Sequence, residues 1–577
     1  MADIETALTK IRPHTASSLA HQKAPAQLLL ALESTFEEQA TERSPTAYFA
    51  ALLTTLDGTL QTSRTSGALT FGEGDVLPAE LYLLALVLPF VPHPVIRSNL
   101  STILSLTAPL FPSLVPHAPP LRSQLAIYNA VCLALERSQL ESAQGLRQSF
   151  ASILHLTLDP RPKVRKRAAE LVRDVLAAAP PPSVRHPYAA QVSDFILSTL
   201  TNDVGLVKGK KKDAADGTET GIHILALLGP IVLTLPPSVC ESVDASKLTH
   251  SNFTQSLSSI AASLIPLPRL GNPYLSCSAF TTLSVLLTAI SDDGETALTT
   301  QLPNIISAIH SACPLRGDTT VSPAWTLVLA RALVSYKETS PGEFEAELPR
   351  SWKSVWEFLE SADRDTRKSA AEALGLISTR FNSSLIETAL SDVRKGSDNS
   401  IIVKIVTQIQ KGLDSLTFAR SIPELLSVVS SLVQALRYRG DVVTDSTAAE
   451  VLMSGIITKI GTLRTQRNFE YKEDADKTLG VVMGVIGPEA LLKILPLSLE
   501  PSDRYHARIL LVQFLTLCAE LRAESRAPSS SPYLPSHTLH PSTILSHTSF
   551  PLPNGCLITN KRLKRKVELR KERSGVS

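Results

Sequence analysis

Aromatic side chains are scarce in this chain, 5% of 577 residues. That is the expectation where small residues let helices stack closely. A single compact core is excluded at this length, whereas an array of repeats lengthens freely because each unit packs only on its neighbours. Cysteine is sparse as well: Cys132, Cys240, Cys277, Cys313, Cys518 and Cys556 are scattered with no paired spacing. This excludes a disulfide scaffold and a Cys-based structural metal site, and fits a reducing compartment. Charge of one sign is missing too. With 56 basic and 54 acidic residues the net charge is +2, so any nucleic-acid role must reside in local clusters. Hairpin turns between alternating strand patterns are nearly absent, and the start Met1-Ala2-Asp3-Ile4-Glu5-Thr6 carries no secretory signal. Two apolar runs, Leu81–Leu88 ending at Pro89 and Ile222–Leu235 broken by Gly229-Pro230, fall short of the ~20 residues a membrane span needs. Both read as buried helices, with no membrane partner.

Catalytic templates are missing in turn. Gly205-Leu206-Val207-Lys208-Gly209-Lys210-Lys211 has one residue too few for a phosphate loop, and Lys211 stands where Ser or Thr would hold magnesium. Gly72-Glu73-Gly74 lacks a third glycine and a preceding buried strand. Neither a Gly-x-Ser-x-Gly elbow nor a His-Glu-x-x-His helix occurs. His537 and His540 have ligand-like spacing without further ligands, and His155 and His223 sit in apolar helical context as core or groove histidines. The expectation is a protein that is not an enzyme, with no cofactor and no small-molecule substrate.

What is present is helix. Leu- and Ala-rich segments at helical period dominate, and the 39 prolines fall mostly between them, as in Pro180-Pro181-Pro182 and Leu235-Pro236-Pro237. The most informative segment begins Asp159-Pro160-Arg161-Pro162-Lys163. Asp159 is a candidate cap, and prolines at 160 and 162 suit a first turn. Val164, Ala168, Leu171, Val172 and Val175 form one apolar stripe, while Arg161, Lys163, Arg165, Lys166 and Arg167 crowd into seven residues and cannot all face a core. The segment reads as the second helix of a HEAT repeat with a basic face. Arg165-Lys166-Arg167-Ala168-Ala169-Glu170 is echoed by Arg367-Lys368-Ser369-Ala370-Ala371-Glu372 behind the cap candidates Asp363 and Asp365. The offset of 202 residues is five periods of about 40, within the HEAT range. A weaker echo lies at Asp398-Asn399-Ser400-Ile401-Ile402-Val403-Lys404.

These features predict an all-α fold, a HEAT/armadillo-like α-solenoid of stacked antiparallel helix pairs over residues 1–525. A loop is expected at 61–75 and a polar insertion at 205–221 carrying Lys208, Lys210, Lys211 and Lys212. The insertion reads as a mobile loop or as a loop that contacts phosphate. Residues 526–577, rich in Ser, Pro and His, read as a disordered tail. Its basic run at 561–573 includes Lys561, Arg562, Lys564, Arg565 and Lys566, either a nuclear-import or nucleic-acid patch or an ordinary solvated tail. The Arg161–Arg167 cluster, without aromatics for base stacking, suits sequence-independent contact with RNA backbone or with an acidic partner. The alternative is a solvated face with salt bridges to Glu170 and Asp174.

Beyond these patterns, the chain resembles the ribosomal RNA-processing protein 12 family of HEAT-repeat proteins. The start Asp159-Pro160-Arg161-Pro162-Lys163-Val164-Arg165 is one match, and Gly271-Asn272-Pro273-Tyr274-Leu275-Ser276-Cys277-Ser278-Ala279-Phe280 is similar to another. Phe469-Glu470-Tyr471-Lys472-Glu473-Asp474-Ala475-Asp476-Lys477-Thr478-Leu479-Gly480 is the strongest, followed by Gly487-Pro488-Glu489 and Leu495-Pro496-Leu497-Ser498-Leu499-Glu500, with Ser498 where the family usually has Asn. The resemblance covers about residues 20–504. It implies association with pre-ribosomal particles (pre-rRNA and assembly factors) in the nucleolus and nucleus, and a part in rRNA maturation and subunit export. At family level it also implies contact with Ran and nuclear-pore proteins. Members are usually longer, and composition changes near Arg504, so the expectation is a truncated product or a reading frame that runs into untranslated sequence. An importin-like receptor or adaptor that binds proteins rather than RNA is the competing expectation.

Overall fold

The computed structural model describes residues 4–66, 70–72, 74–204, 211–235, 256–293, 301–439 and 446–496, all within the compact unit Met1–Arg508. Lys208, Lys210, the 526–577 tail and its basic run lie outside the described residues. Among the described residues the chain is helical throughout, without a strand.

Local chemistry sets the helix ends. Asp363 Oδ2 accepts the Thr366 N–H at 2.8 Å, Asn382 caps through Leu385 and Ser400 through Val403, each satisfying a first-turn donor that has no partner inside the helix. Gly396, at φ 67°, closes the Ser383–Lys395 helix in the left-handed conformation that glycine adopts without Cβ strain.

The helices form two layers. One is a continuous row in which Val76–Val87, Ala118–Ala134, Pro162–Ala177, Lys211–Ile231 and Pro273–Asp293 each pack on the next. The row continues through Ser322–Thr339, Arg364–Ser378, Ile422–Ala435 and Lys472–Ile486. The second layer alternates with it along the chain, through helices such as Gln144–Leu156, Pro341–Trp356, Ile401–Asp414 and Ala448–Thr465. This is the α-solenoid that the periodicity predicts. Some of the few aromatics fill the space between helices. Trp325 is fully buried, donates from Nε1 to the Ile309 carbonyl at 2.8 Å and lies against Phe358 with ring centroids 5.3 Å apart.

Four details differ from the sequence expectations. The basic helix and its echo, starting at Pro162 and Arg364, are separated by four repeat steps of 49, 62, 49 and 42 residues rather than five of about 40. Connections of unequal length stretch the period, which the offset alone conceals. Next, the 61–75 loop begins later, because the Pro45–Ser66 helix runs through its first six positions. The hydroxyls there bond back to the helix itself, Thr62 to the Gly58 carbonyl and Ser63 to that of Thr59, so the polar composition does not end it. The polar insertion is likewise helical from Lys211, and that helix runs through Gly229-Pro230 to Ile231. Finally, Gly217–Thr234 and Leu416–Ala435 are long and apolar enough to cross a membrane by length and composition. Ile224, Leu225, Leu228 and Ile231 are buried against neighbouring helices, as are Leu425, Val428, Val429 and Leu432, and this packing accounts for the apolar character.

Candidate nucleic-acid interface

The Pro162–Ala177 helix starts from Arg161, with Pro162 at its first position. Val164, Ala168, Leu171, Val172 and Val175 are buried as the stripe predicts, joined by Leu176, and they press the helix onto Ala118–Ala134 and Lys211–Ile231. The five clustered cations therefore occupy its flanks and outer face, where they divide into two groups.

Arg161 and Arg165 serve the fold. Asp159 does not cap the helix: its Oδ1 accepts the Arg161 N–H at 2.8 Å, two residues on, in a turn that precedes the helix. Its two oxygens then take the Arg161 guanidinium at 2.9 and 2.7 Å. This bidentate pair, in which the Asp159 side chain is 7% exposed, holds the carboxyl below its usual value chiefly through the Arg161 hydrogen bond. Arg165 Nη1 donates to the carbonyls of Asp159 at 2.7 Å and Pro160 at 3.2 Å. In the second copy Arg367 Nη1 does the same to Ser361 and Ala362, at 3.0 and 2.9 Å. Both arginines reach back five and six residues, so this arginine is a clamp common to the two repeats that ties the inter-helix turn to the helix it precedes.

Lys163, Lys166 and Arg167 are the surplus. Their counterparts in the second copy are Asp365, Lys368 and Ser369, so only the first copy concentrates positive charge there. Lys163 is exposed and has no ion pair among the described residues. Lys166, 79% exposed, lies 4.0 Å from Glu170, and Arg167 lies 3.4 Å from the same carboxylate. Asp174, the other expected acidic neighbour, pairs with Arg173 at 3.0 Å. On the adjacent Lys211–Ile231 helix, His223 stands near enough to Arg165 for that charge to add to burial in lowering its pKa, against Glu219 at 3.8 Å. Lys211 and Lys212 open the same helix. Lys212 lies eleven residues before His223, or about 16 Å along the axis. His155 is exposed rather than buried, edge-on to Phe195 with ring centroids 5.2 Å apart. The Arg161–Arg167 segment itself holds point charges and no aromatic residue, which suits contact with phosphates by position rather than base readout.

Sequence reasoning missed the division of labour within the cluster. The echo carried part of the signal: the arginine that recurs as Arg367 is the clamp, whereas Lys163 and Arg167 have no basic counterpart and Lys166 recurs as Lys368.

Comparison with known proteins places this geometry in context. The family described as "RRP12-like, N-terminal HEAT repeats" matches residues 11–293, and "Ribosomal RNA-processing protein 12, HEAT repeats" matches residues 360–519. The second match continues past Arg504, where the resemblance was expected to stop. Ribosomal RNA-processing protein 12 of Saccharomyces cerevisiae is 23% identical over 89% of this chain and 41% of its own length. The putative ribosomal RNA-processing protein 12 of Schizosaccharomyces pombe is 22% identical over 83% of this chain and 37% of its own. The human RRP12-like protein is 22% identical over 86% and 35% respectively. The chain thus spans about two fifths of the length of these curated relatives.

Proposed function

From a chain that belongs to the ribosomal RNA-processing protein 12 family, we propose a non-enzymatic scaffold of ribosome biogenesis. It associates with precursor ribosomal particles in the nucleus and nucleolus and supports rRNA processing and subunit export. The observation that carries the reading is the surplus of charge at exposed Lys163 and Lys166 and at half-buried Arg167, on a helix whose turn is held by Arg161 and Arg165. A row of rigidly stacked helices holds these cations in a fixed array, and such an array meets a phosphodiester backbone without reading its sequence.

The test is crosslinking in cells that carry a tagged full-length chain, with and without Lys163→Gln, Lys166→Gln and Arg167→Gln. The reading expects pre-rRNA among the crosslinked species, reduced severalfold in the variant while the chain still sediments with precursor particles. Recovery of transport proteins with no pre-rRNA would overturn it.

A further inference from the structure

A second surface lies far along the chain from the basic helix. In most of the solenoid each repeat contributes one helix to the second layer, but here Ser383–Lys395 and Ile401–Asp414 both precede Ile422–Ala435. The extra helix is tied to Pro341–Trp356 by Asn382 Nδ2 donating to Glu345 Oε1 at 3.0 Å, and it also packs on Ala448–Thr465. Ile401–Asp414 meets Pro341–Trp356 at its C-terminal end. There Gly412 lets the Trp356 indole approach so closely that a Cβ at 412 would lie 3.1 Å from Cζ2. Around this contact opens a cleft of about 470 Å³, within the ~300–1,000 Å³ range of formed ligand sites. Trp356 and Phe418, with ring centroids 5.4 Å apart, form its floor. Lys404 and Lys411, two turns apart on one helix face, stand at its rim with Thr407 and Gln408 between them and Asp398 nearby. Both lysines are exposed and neither has an ion pair among the described residues, whereas neighbouring Asp414 is taken by Lys459. Leu416, 91% exposed, projects from the lip between the lining residues Ser415 and Phe418.

We infer that this cleft docks an acidic peptide segment of a partner protein, inserting one large apolar side chain against Trp356 and Phe418 while its carboxylates meet Lys404 and Lys411. Charge complementarity argues for an acidic occupant, because the rim carries two cations against one anion. The floor argues for a peptide over RNA. The two rings are only 5% and 6% exposed, too little for a base to lie flat on either, so an inserted side chain meets only the narrow exposed part of the floor and takes further apolar contact from Leu416 on the lip. The inference does not rest on RNA contact at the basic helix.

The test measures binding of the full chain to a fluorescent synthetic peptide with one central Phe flanked by Asp and Glu. Controls are the same peptide with Ala for Phe, and an oligouridylate of similar length. The expected result is binding that weakens about tenfold or more in Lys404→Glu/Lys411→Glu and in the Ala peptide. It also weakens in Thr407→Trp, which fills the cleft and leaves the charges in place. Oligouridylate binding stays unchanged in all variants, which separates this site from the basic helix. Circular dichroism shows each variant folded, and Thr407→Trp keeps the inference falsifiable if charge reversal disturbs folding. Absence of peptide binding, binding indifferent to Lys404, Lys411 and Thr407, or oligouridylate binding lost with the cleft would each overturn it.

Discussion

Replacing Arg367 with Ala removes a guanidinium that is 8% exposed and leaves two kinds of group without a partner. The carbonyls of Ser361 and Ala362 lose donors at 3.0 and 2.9 Å. Hydrogen bonds from a charged donor contribute ~1.5–3 kcal/mol. Glu424, whose Oε1 lies 3.5 Å from Arg367 Nε in an ion pair without a formed hydrogen bond, also loses its cation. Stranding a buried charge costs ~3–5 kcal/mol. These contributions overlap because one group makes them all, so the expected destabilisation is about 4 kcal/mol. Arg165→Ala provides the comparison. It removes the equivalent carbonyl bonds at 2.7 and 3.2 Å, but the buried carboxylate within reach of its charge, Asp159, keeps its bidentate partner Arg161, so it costs about 1–2 kcal/mol. Arg367→Met with Glu424→Leu removes both charges and recovers most of the loss. A solenoid of this length does not unfold in two states, so the assay is hydrogen exchange by mass spectrometry over residues 361–378 and 422–435 for Arg367 and over residues 159–177 for Arg165, where local opening reports directly. If Arg367→Ala loses no more protection than Arg165→Ala, or the double variant recovers none, the clamp-and-carboxylate account is wrong.

Three further outcomes follow from buried groups. Glu80 is 1% exposed and, among the described residues, has only Thr59 as a donor at 2.8 Å, and burial raises its pKa from 4.5 to about 7. A folded-state value above the unfolded one means that stability present below about 4.5 is lost as pH rises towards 7, by roughly 3 kcal/mol. Glu80→Gln, which keeps a partner for Thr59, abolishes that slope in pH-dependent thermal unfolding. His186, 3% exposed and accepting the Tyr188 N–H at Nδ1, has its pKa lowered by burial from 6.5 to about 4. Its contribution is full above 6.5 and fades as pH falls through that window, read as loss of amide protection in Ala189–Ser198. Cys132 is buried and its thiol pushed up to about 12, whereas Cys313 is exposed. Maleimide therefore labels Cys313 in the native chain and reaches Cys132 only after unfolding, as mass spectrometry of timed digests would record.

Residues with a single periodic role were legible before the structure. The stripe Val164, Ala168, Leu171, Val172 and Val175 is buried as a unit because helix period and core burial point to the same face. Asp363 caps where a short acceptor precedes an apolar-periodic run. What escaped was whatever depends on backbone brought from elsewhere. Asp159 has the chemistry of a cap, but the Arg161 guanidinium and N–H capture it first. Arg165 looked like one cation among five until its two carbonyl acceptors were placed. The repeat count failed because connections differ in length from one repeat to the next. The Trp356 cleft left no local trace, since its floor joins residues 62 positions apart. Only the seven-residue spacing of Lys404 and Lys411 could have marked it.

The central claim is that Lys163, Lys166 and Arg167 of the basic helix hold RNA backbone while Arg161 and Arg165 hold the fold. Its most direct test is the affinity of the full chain for a precursor rRNA fragment across a salt series, with Lys163→Gln/Lys166→Gln/Arg167→Gln as the variant. The account predicts tight, salt-sensitive binding whose log–log slope falls by about 2–3 in the variant, as for three lost phosphate contacts, with thermal stability unchanged. An unchanged slope and affinity in the folded variant would contradict it.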